Sequence, residues 1–258
     1  MDAIVTAGGI PAPEEPLYPF TQGKSKALLE IAGKPMIQWV LDALNEAETI
    51  DNIVIVGLDA ESGVRSHKTL SFVPNQGSML DNIRIGVKRV AEINPQIKFV
   101  LVVSSDIPAI TGEIVDWSVR RSLEGDDDIC YSVITREVME TRYPGSNRSF
   151  IRLKGADVCG ADMNMIRASV ATGRDEIWTK LIAARKNAFK QAALIGYDTL
   201  FLLLLRRLSI EKLVAIVAER MDIKGRALIS PYAEVGMDVD KPYQLDVLRA
   251  DLEARSGV

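Results

Sequence analysis

The sequence predicts an α/β fold: three layers, with a mostly parallel sheet covered by helices on both faces. Three observations carry this reading. Ile53-Val54-Ile55-Val56 and Phe99-Val100-Leu101-Val102-Val103 are unbroken apolar runs rich in β-branched residues, as expected of strands buried on both sides. Segments of helical period lie between them. Strand alternating with helix at this spacing builds right-handed βαβ units, hence an open sheet.

Taken in order, Ala3-Ile4-Val5 reads as a first short strand that runs straight into the pair Gly8-Gly9 and then a proline-rich loop. Pro35 opens a helix whose Met36, Ile37, Val40, Leu41 and Leu44 share one face. After the Ile53–Val56 strand, Ser78-x-x-Asp81 forms a capping box for a second helix with Leu80, Ile83, Val87 and Val90 on one face. Ile129 to Thr135 reads as another strand, followed by a polar stretch through Pro144-Gly145-Ser146-Asn147-Arg148. From Arg174 to Arg220 the chain reads as mostly helical, with Ser209 as an N-cap before Leu213, Ile216, Val217 and Met221. Ala227-Leu228-Ile229 is a late strand, and Pro242 starts a closing helix that reaches Leu252. No repeat or low-complexity linker divides the chain, so we read 1–258 as one domain, whose pattern changes between the halves 1–125 and 126–258.

Bulk properties narrow the function. Thirty-one basic and 35 acidic residues give a net charge of −4 without a clustered basic block, which argues against a nucleic-acid surface. Cys130 and Cys159 fit no metal spacing and read as reduced, buried thiols of a cytoplasmic protein. Asp2 and Gly8-Gly9 interrupt any apolar leader, and Arg206-Arg207 ends the apolar Leu200–Leu205 run far short of the ~20 residues of a membrane span. That run fits either core or a homodimer interface. His67 is the only histidine, so histidine triads and His-rich metal sites are nearly excluded; it reads as a surface or capping residue. Gly125-Asp126-Asp127-Asp128 reads as a solvated turn, and Trp39, Trp117 and Trp178 as packing residues.

Chemistry gathers at three places. A strand feeding Ala7, Gly8 and Gly9 lets backbone N–H groups approach a phosphate, because no Cβ stands in the way. Lys26, across the loop, supplies a point charge to the same phosphates. Ser104-Ser105-Asp106-Ile107-Pro108 follows the Phe99–Val103 strand at its carboxyl end, where open α/β sheets bind ligands. A carboxylate there suits Mg²⁺, which takes only one or two protein carboxylates beside phosphate oxygens. Asp106 reads alternatively as a turn or N-cap carboxylate. Asp238 and Asp240, alternate residues of Gly236-Met237-Asp238-Val239-Asp240-Lys241-Pro242, lie on one face of an extended segment and are candidate partners for the ion; Asp240 reads equally as an N-cap.

These motifs together resemble the nucleotidyltransferase superfamily with the glycosyltransferase-A-like fold, a Rossmann-like architecture. The superfamily takes in the MobA-like NTP transferases, adenosylcobinamide-phosphate guanylyltransferase and the sugar-phosphate uridylyltransferases. The resemblance rests on Gly8-Gly9, on Lys26 in the run Lys-Ala-Leu-Leu-Glu-Ile-Ala-Gly-Lys-Pro-Met-Ile, on Ser105-Asp106-Ile107-Pro108 and on Asp238-Val239-Asp240-Lys241-Pro242, in that order. It implies that Lys26 contacts phosphates, that Asp106 with Asp238 or Asp240 holds Mg²⁺, and that Asn75, Gln76, Gly77 and Ser78 border base and ribose. It also implies that Lys154, Asp162 and Asn164 face the acceptor.

The chain departs from the family's Gly-Gly-x-Gly-x-Arg…Pro-Lys pattern. Pro11 and Pro13 stand at the third Gly and the Arg, Ser25 precedes Lys26, and the loop carries Glu14-Glu15. Lys24 is the candidate to replace the missing arginine. Pro11, Pro13, Pro16 and Pro19 favour an extended, semi-rigid lid. The activity implied is Mg²⁺-dependent transfer of an NMP from an NTP to a small phosphorylated acceptor, with release of pyrophosphate. The alternatives are a glycosyltransferase using an NDP-sugar and a nucleotide-binding protein without catalysis.

Overall fold

The computed structural model describes residues 1–173, 196, 199, 202–203 and 205–256. In chain order its elements are β1 (Asp2–Thr6), α1 (Tyr18–Thr21), β2 (Glu30–Ile31), β3 (Lys34–Pro35), α2 (Met36–Glu46), β4 (Asn52–Val56), β5 (Thr69–Val73), α3 (Met79–Ile93), β6 (Phe99–Ser104) and α4 (Gly112–Ser122). There follow β7 (Ile129–Thr135), α5 (Arg136–Arg142), β8 (Ile151–Arg152), β9 (Asp157–Gly160), β10 (Met163–Arg167), α6 (Ala168–Gly173), α7 (Ile210–Arg220), β11 (Gly225–Ser230) and α8 (Pro242–Ser256). Trp178, half of Leu200–Leu205 and, of the helical stretch expected from Arg174 to Arg220, most of the part before Ser209 lie outside the described residues.

Nine strands form one sheet in the order β5-β4-β1-β6-β10-β7-β9-β8, with β11 paired to β7. It is parallel through β5-β4-β1-β6 and again between β7 and β11, while β10 runs antiparallel to β6. The apolar runs of the sequence have a direct cause here. Successive side chains of a strand face opposite sides, and each side of this sheet has its own core. Ala3 and Val5 of β1, Ile53 and Ile55 of β4, and Leu101 and Val103 of β6 join one core with α2, which buries Ile37, Val40, Leu41 and Leu44. Ile4, Val54, Val56 and Val100 join the other, against Val87 and Val90 of α3. Each such Val, Leu or Ile side chain contributes roughly 1.5–3 kcal/mol on burial.

Ser78 caps α3 by accepting from the Asp81 amide, and Ser209 caps α7 through the Lys212 amide, as the sequence predicts. Pro35 stands one residue before the first turn of α2, at its N-cap. The proline-rich loop differs from its expected extended form. Its residues make successive turns (Glu15 N–H to Ala12 carbonyl, Tyr18 N–H to Glu15 carbonyl) and the short α1, with Pro19 in the first turn. Proline's fixed φ suits turns and first helical turns as well as an extended chain, and its missing N–H is not needed there.

Gly125–Asp128 is a turn whose carboxylates all pair with arginines: Asp126, 80% exposed, and the more buried Asp128 with Arg167 at 2.5 and 2.8 Å, and Asp127 with Arg226 at 2.7 Å. Cys130 and Cys159 are buried free thiols, and His67 is exposed beside the Asn45 carbonyl. No described helix is long and apolar enough to cross a membrane.

Candidate active site

β1 and β6 are neighbours, so the segments leaving their carboxyl ends meet. The Ser105 amide donates to the Thr6 carbonyl at 3.1 Å, holding the Asp106 turn beside the Gly8-Gly9 turn. The Val239 amide donates to the Asp106 carbonyl at 3.0 Å, which brings Asp238 and Asp240 to the same place from more than 130 residues away. Gln244 Oε1 accepts from the amides of Asp240 and Lys241, both at 2.9 Å, and closes the turn into α8. The Asp240 carboxylate points instead to Lys26.

A cleft of about 300 Å³ opens here, and its wall includes Gly8, Gly9, Lys26, Asn75, Gly77, Ser78 and Asp106. Gly8 is required by its surroundings. A Cβ there would come within 2.7 Å of both Asn75 Oδ1 and Asn82 Nδ2. A Cβ on Gly9 would meet nothing within 4 Å and would occupy cleft space. Asn75 Nδ2 donates to the Gly8 carbonyl at 2.9 Å, and its Oδ1 accepts from the Gly77 amide and from Asn82 Nδ2, both at 3.0 Å.

Lys26 Nζ donates to Asp106 Oδ2 at 2.6 Å and to Asp240 Oδ1 at 2.8 Å. Burial alone would lower its pKa, but the charges of Asp106 and Asp240 outweigh that and hold it above the ordinary lysine range. Carboxylate oxygens of Asp106, Asp238 and Asp240 lie within 4.8 Å of one another. Asp162 stands close by. Burial first, then the charges of Asp106 and Asp238, push its carboxyl up to about 8. Burial raises Asp238 to about 6, against the opposing pull of Arg148. Asp240 is lowered: burial would raise it, but Lys26 prevails. Asp106 Oδ1 and Asp162 Oδ2 are buried and find no hydrogen-bond partner among the described residues. A hard divalent cation fits this donor set: oxygen ligands, excess negative charge and an orphaned carboxylate oxygen.

Other residues expected at the site are placed differently. Ala7 is buried behind the cleft, its carbonyl accepting from Ser25 Oγ at 3.0 Å. Lys24 is exposed on the loop, away from the cleft wall. Gln76 is exposed; its Nε2 donates to the Pro74 carbonyl at 2.7 Å, and its amide donates to Asn82 Oδ1, also at 2.7 Å. Lys154 is exposed in the β8–β9 turn. Asn164 accepts from the Ser132 amide at 2.8 Å and donates to the Ala161 carbonyl at 3.0 Å, a tie between β7 and β10.

Two residues enter that the sequence reading does not assign to the site. Asn82, 4% exposed, braces the Asn75–Gly77 turn, and its signal is a polar side chain on the buried Asn82-Gly86-Val90 stripe of α3. Arg148 reaches in from the loop after α5. Its Nη1 donates to Asp238, while its Nη2 donates to the Gly160 carbonyl at 3.3 Å and lies 3.7 Å from Asp162. Nothing local in Gly145-Ser146-Asn147-Arg148 announces this.

Comparison with known proteins agrees with this architecture. A family model described as MobA-like NTP transferase domain matches residues 20–220, a span that holds Lys26 and Asp106 and leaves Gly8, Gly9, Asp238 and Asp240 outside. Among curated proteins, a probable molybdenum cofactor guanylyltransferase of Thermococcus sibiricus is 26% identical over 132 residues, covering 51% of this chain and 65% of that protein. The bifunctional protein GlmU of Sinorhizobium fredii is 36% identical over 108 residues, 40% of this chain and 23% of that one. The chain thus spans less than two thirds of the length of these relatives. Among solved structures, a hypothetical transferase from Thermus thermophilus superposes with a TM-score of 0.82 at 32% identity, covering 95% of this chain and 98% of that one. CMP:2-keto-3-deoxy-manno-octonic acid synthetase, complexed with CTP, shares the fold with a TM-score of 0.61 at 14% identity over 98% of both chains. The chain belongs to the MobA-like NTP transferase domain family.

Proposed function

We propose that this protein is a Mg²⁺-dependent nucleotidyltransferase that moves an NMP from an NTP onto a small phosphorylated acceptor. The observation that carries the proposal is Lys26 joined to Asp106 and Asp240 at the head of the Gly8-Gly9 cleft, with Asp238 alongside. In this reading the 1–125 half supplies the nucleotide side and the 126–258 half the acceptor side.

An acceptor phosphate oxygen attacks the α-phosphorus; the bond from α-phosphorus to the bridging oxygen breaks, and pyrophosphate leaves. Asp106 with Asp238 or Asp240 would hold Mg²⁺, which neutralises charge developing on the phosphates. Gly8 and Gly9 admit the phosphates close to the backbone, and the Lys26 ammonium orients them. Asn75, Gly77 and Ser78 form the wall toward base and ribose. An anionic phosphate is already a competent nucleophile, so no histidine base is called for, in keeping with His67 lying exposed against Asn45. Catalysis of this kind is positioning and charge stabilisation.

The test is pyrophosphate release from each NTP, with and without Mg²⁺, in the presence of a panel of small phosphomonoesters. We expect Mg²⁺-dependent release with one preferred base, abolished by Asp106→Asn. NTP binding without release across the panel would favour the non-catalytic alternative, and turnover of an NDP-sugar alone would favour the glycosyltransferase.

A further inference from the structure

The charge balance inside the site is unusual for a cleft meant to receive polyanions. Among the described residues, two cations reach into it and both are already engaged by its own carboxylates: Lys26 by Asp106 and Asp240, and Arg148 by Asp238, with Asp162 near. Both partners of the second pair are enclosed, the Arg148 side chain 16% exposed and that of Asp238 11% exposed. Its Nε is buried without a hydrogen bond among the described residues. A guanidinium that leaves one donor unsatisfied is held there by charge, not by a complete hydrogen-bond set. Its loop is fixed independently of that charge. Tyr243 Oη donates to the Ser146 carbonyl at 2.9 Å, the Gly145 amide donates to Glu140 at 3.1 Å, and Gly145 and Asn147 take left-handed φ of +70° and +52°.

We propose that Arg148 is an internal competitor for the divalent cation: it holds Asp238 in the free protein and yields it when the cation binds. The inference rests on the nucleotidyltransferase reading and adds a positioning residue to it. The physical reason is exclusion by charge. One carboxylate cannot give its full strength both to a guanidinium and to a dication, and the two cations repel each other in a poorly solvated site. Displaced from Asp238, the guanidinium remains on a fixed loop at the acceptor side with Nη1 released and the second N–H of Nη2 available beside its bond to the Gly160 carbonyl. A planar pair of N–H donors then matches a phosphate oxygen pair on the incoming acceptor. Cation binding and acceptor binding thereby become linked, each favouring the other.

Mn²⁺ affinity, read by electron paramagnetic resonance on protein without nucleotide, tests this apart from activity. Arg148→Gln removes the competitor and is expected to bind Mn²⁺ roughly tenfold tighter than wild type, the scale of losing one nearby like charge. Arg148→Lys restores the charge and is expected to bind as wild type does. An acceptor-like phosphomonoester is expected to tighten Mn²⁺ binding in the wild type and not in Arg148→Gln. Equal or weaker Mn²⁺ binding by a folded Arg148→Gln, with Arg148→Lys no different from it, would overturn the competitor role while leaving the metal site standing. Absence of Mn²⁺ binding in all three proteins, with and without NTP, would overturn the metal reading and this inference with it.

Discussion

Lys26 ties the two halves of the site, and replacing it with methionine separates its structural from its chemical contribution. The stem volume is retained and only the charge is lost. Lys26 and Asp106 are 15% and 12% exposed and 2.6 Å apart, so their pair is a buried one. Removing one partner of such a pair leaves an uncompensated charge, a cost of about 3–5 kcal/mol. The Asp240 arm, 2.8 Å long but with its carboxylate 58% exposed, adds at most ~1 kcal/mol because solvent screens it. Lys26→Met is therefore expected to lose about 3–5 kcal/mol in urea unfolding at neutral pH. Millimolar Mg²⁺ should return part of that, since a dication on Asp106 replaces the missing charge in the folded state alone. Under the proposed reaction, turnover should fall by roughly 10²–10³-fold, the scale of losing one charged group that stabilises the transition state. Wild-type stability in Lys26→Met, together with the absence of a Mg²⁺ effect, would refute the electrostatic argument. Retention of wild-type turnover would remove Lys26 from the chemistry.

Further predictions follow from neighbouring contacts. Gly8→Ala forces a Cβ to 2.7 Å from two amide side chains and should cost about 1–3 kcal/mol in thermal unfolding. Gly9→Ala should unfold as wild type does and raise the KM for NTP, because its methyl enters open cleft. Asn82→Ala leaves the Gln76 amide without its 2.7 Å acceptor, so the protein should lose about 1–3 kcal/mol and bind NTP more weakly by calorimetry. Asp116 accepts from the Glu48 amide at 3.1 Å, the Thr49 amide at 2.9 Å and the Thr49 hydroxyl at 2.7 Å. Burial alone would raise its pKa, but these bonds, with Arg120, hold it below the ordinary carboxylate range. A depressed folded pKa gives stability that is complete above the unfolded value of about 3.9 and disappears as pH falls through the folded one. Asp116→Asn should therefore be less stable than wild type by about 1–3 kcal/mol at pH 7, with the difference closing below pH ~4 in acid-unfolding curves.

The parts of the fold that the sequence made legible are those in which one residue pattern has one physical cause. β1, β4 and β6 read as buried strands because both faces of each meet a core, and α2 and α3 read as helices because one stripe of each does. Thr69–Val73 escaped notice because β5 closes an edge of the sheet and only Val73 of its residues is fully buried. α4 escaped because its buried stripe is partly polar: Asp116, Ser118 and Ser122 lie inward, with Asp116 satisfied by the Glu48-Thr49 turn. β9 and β10 depend on antiparallel partners in β7 and β6, remote in sequence and without local pattern. The site divides the same way. Gly8, Lys26, Asp106 and Asp238 follow strand ends or short motifs that geometry explains. Arg148 and Asn82 take their roles only from what the folded chain sets beside them.

The altered glycine loop looks at first like the strongest sequence argument against catalysis, and the structure changes its weight. Pro11, Pro13 and Glu14-Glu15 would matter if residues 10–24 formed the phosphate wall. The cleft wall, which the proposed function gives to the phosphates, includes Gly8, Gly9 and Lys26, with residues 10–24 outside it. The loop's two ends are fastened together: the Lys26 amide donates to the Gly9 carbonyl at 2.8 Å, and Ser25 Oγ donates to the Ala7 carbonyl at 3.0 Å. The exposed residues between those ties can change length and composition without moving Gly9 or Lys26, because closing a somewhat longer loop costs only ~0.6 kcal/mol per doubling, whereas Leu17 belongs to the core. What the departure does remove is the family's arginine; among the described residues, Lys26 is the cation in the cleft wall. Replacing the exposed Pro13-Glu14-Glu15-Pro16 with Gly and Ser, and keeping the buried Leu17 and Thr21, should then preserve protein stability and Mg²⁺-dependent NTP binding. Loss of NTP binding with stability intact would return the loop to the site and restore the case for a non-catalytic protein.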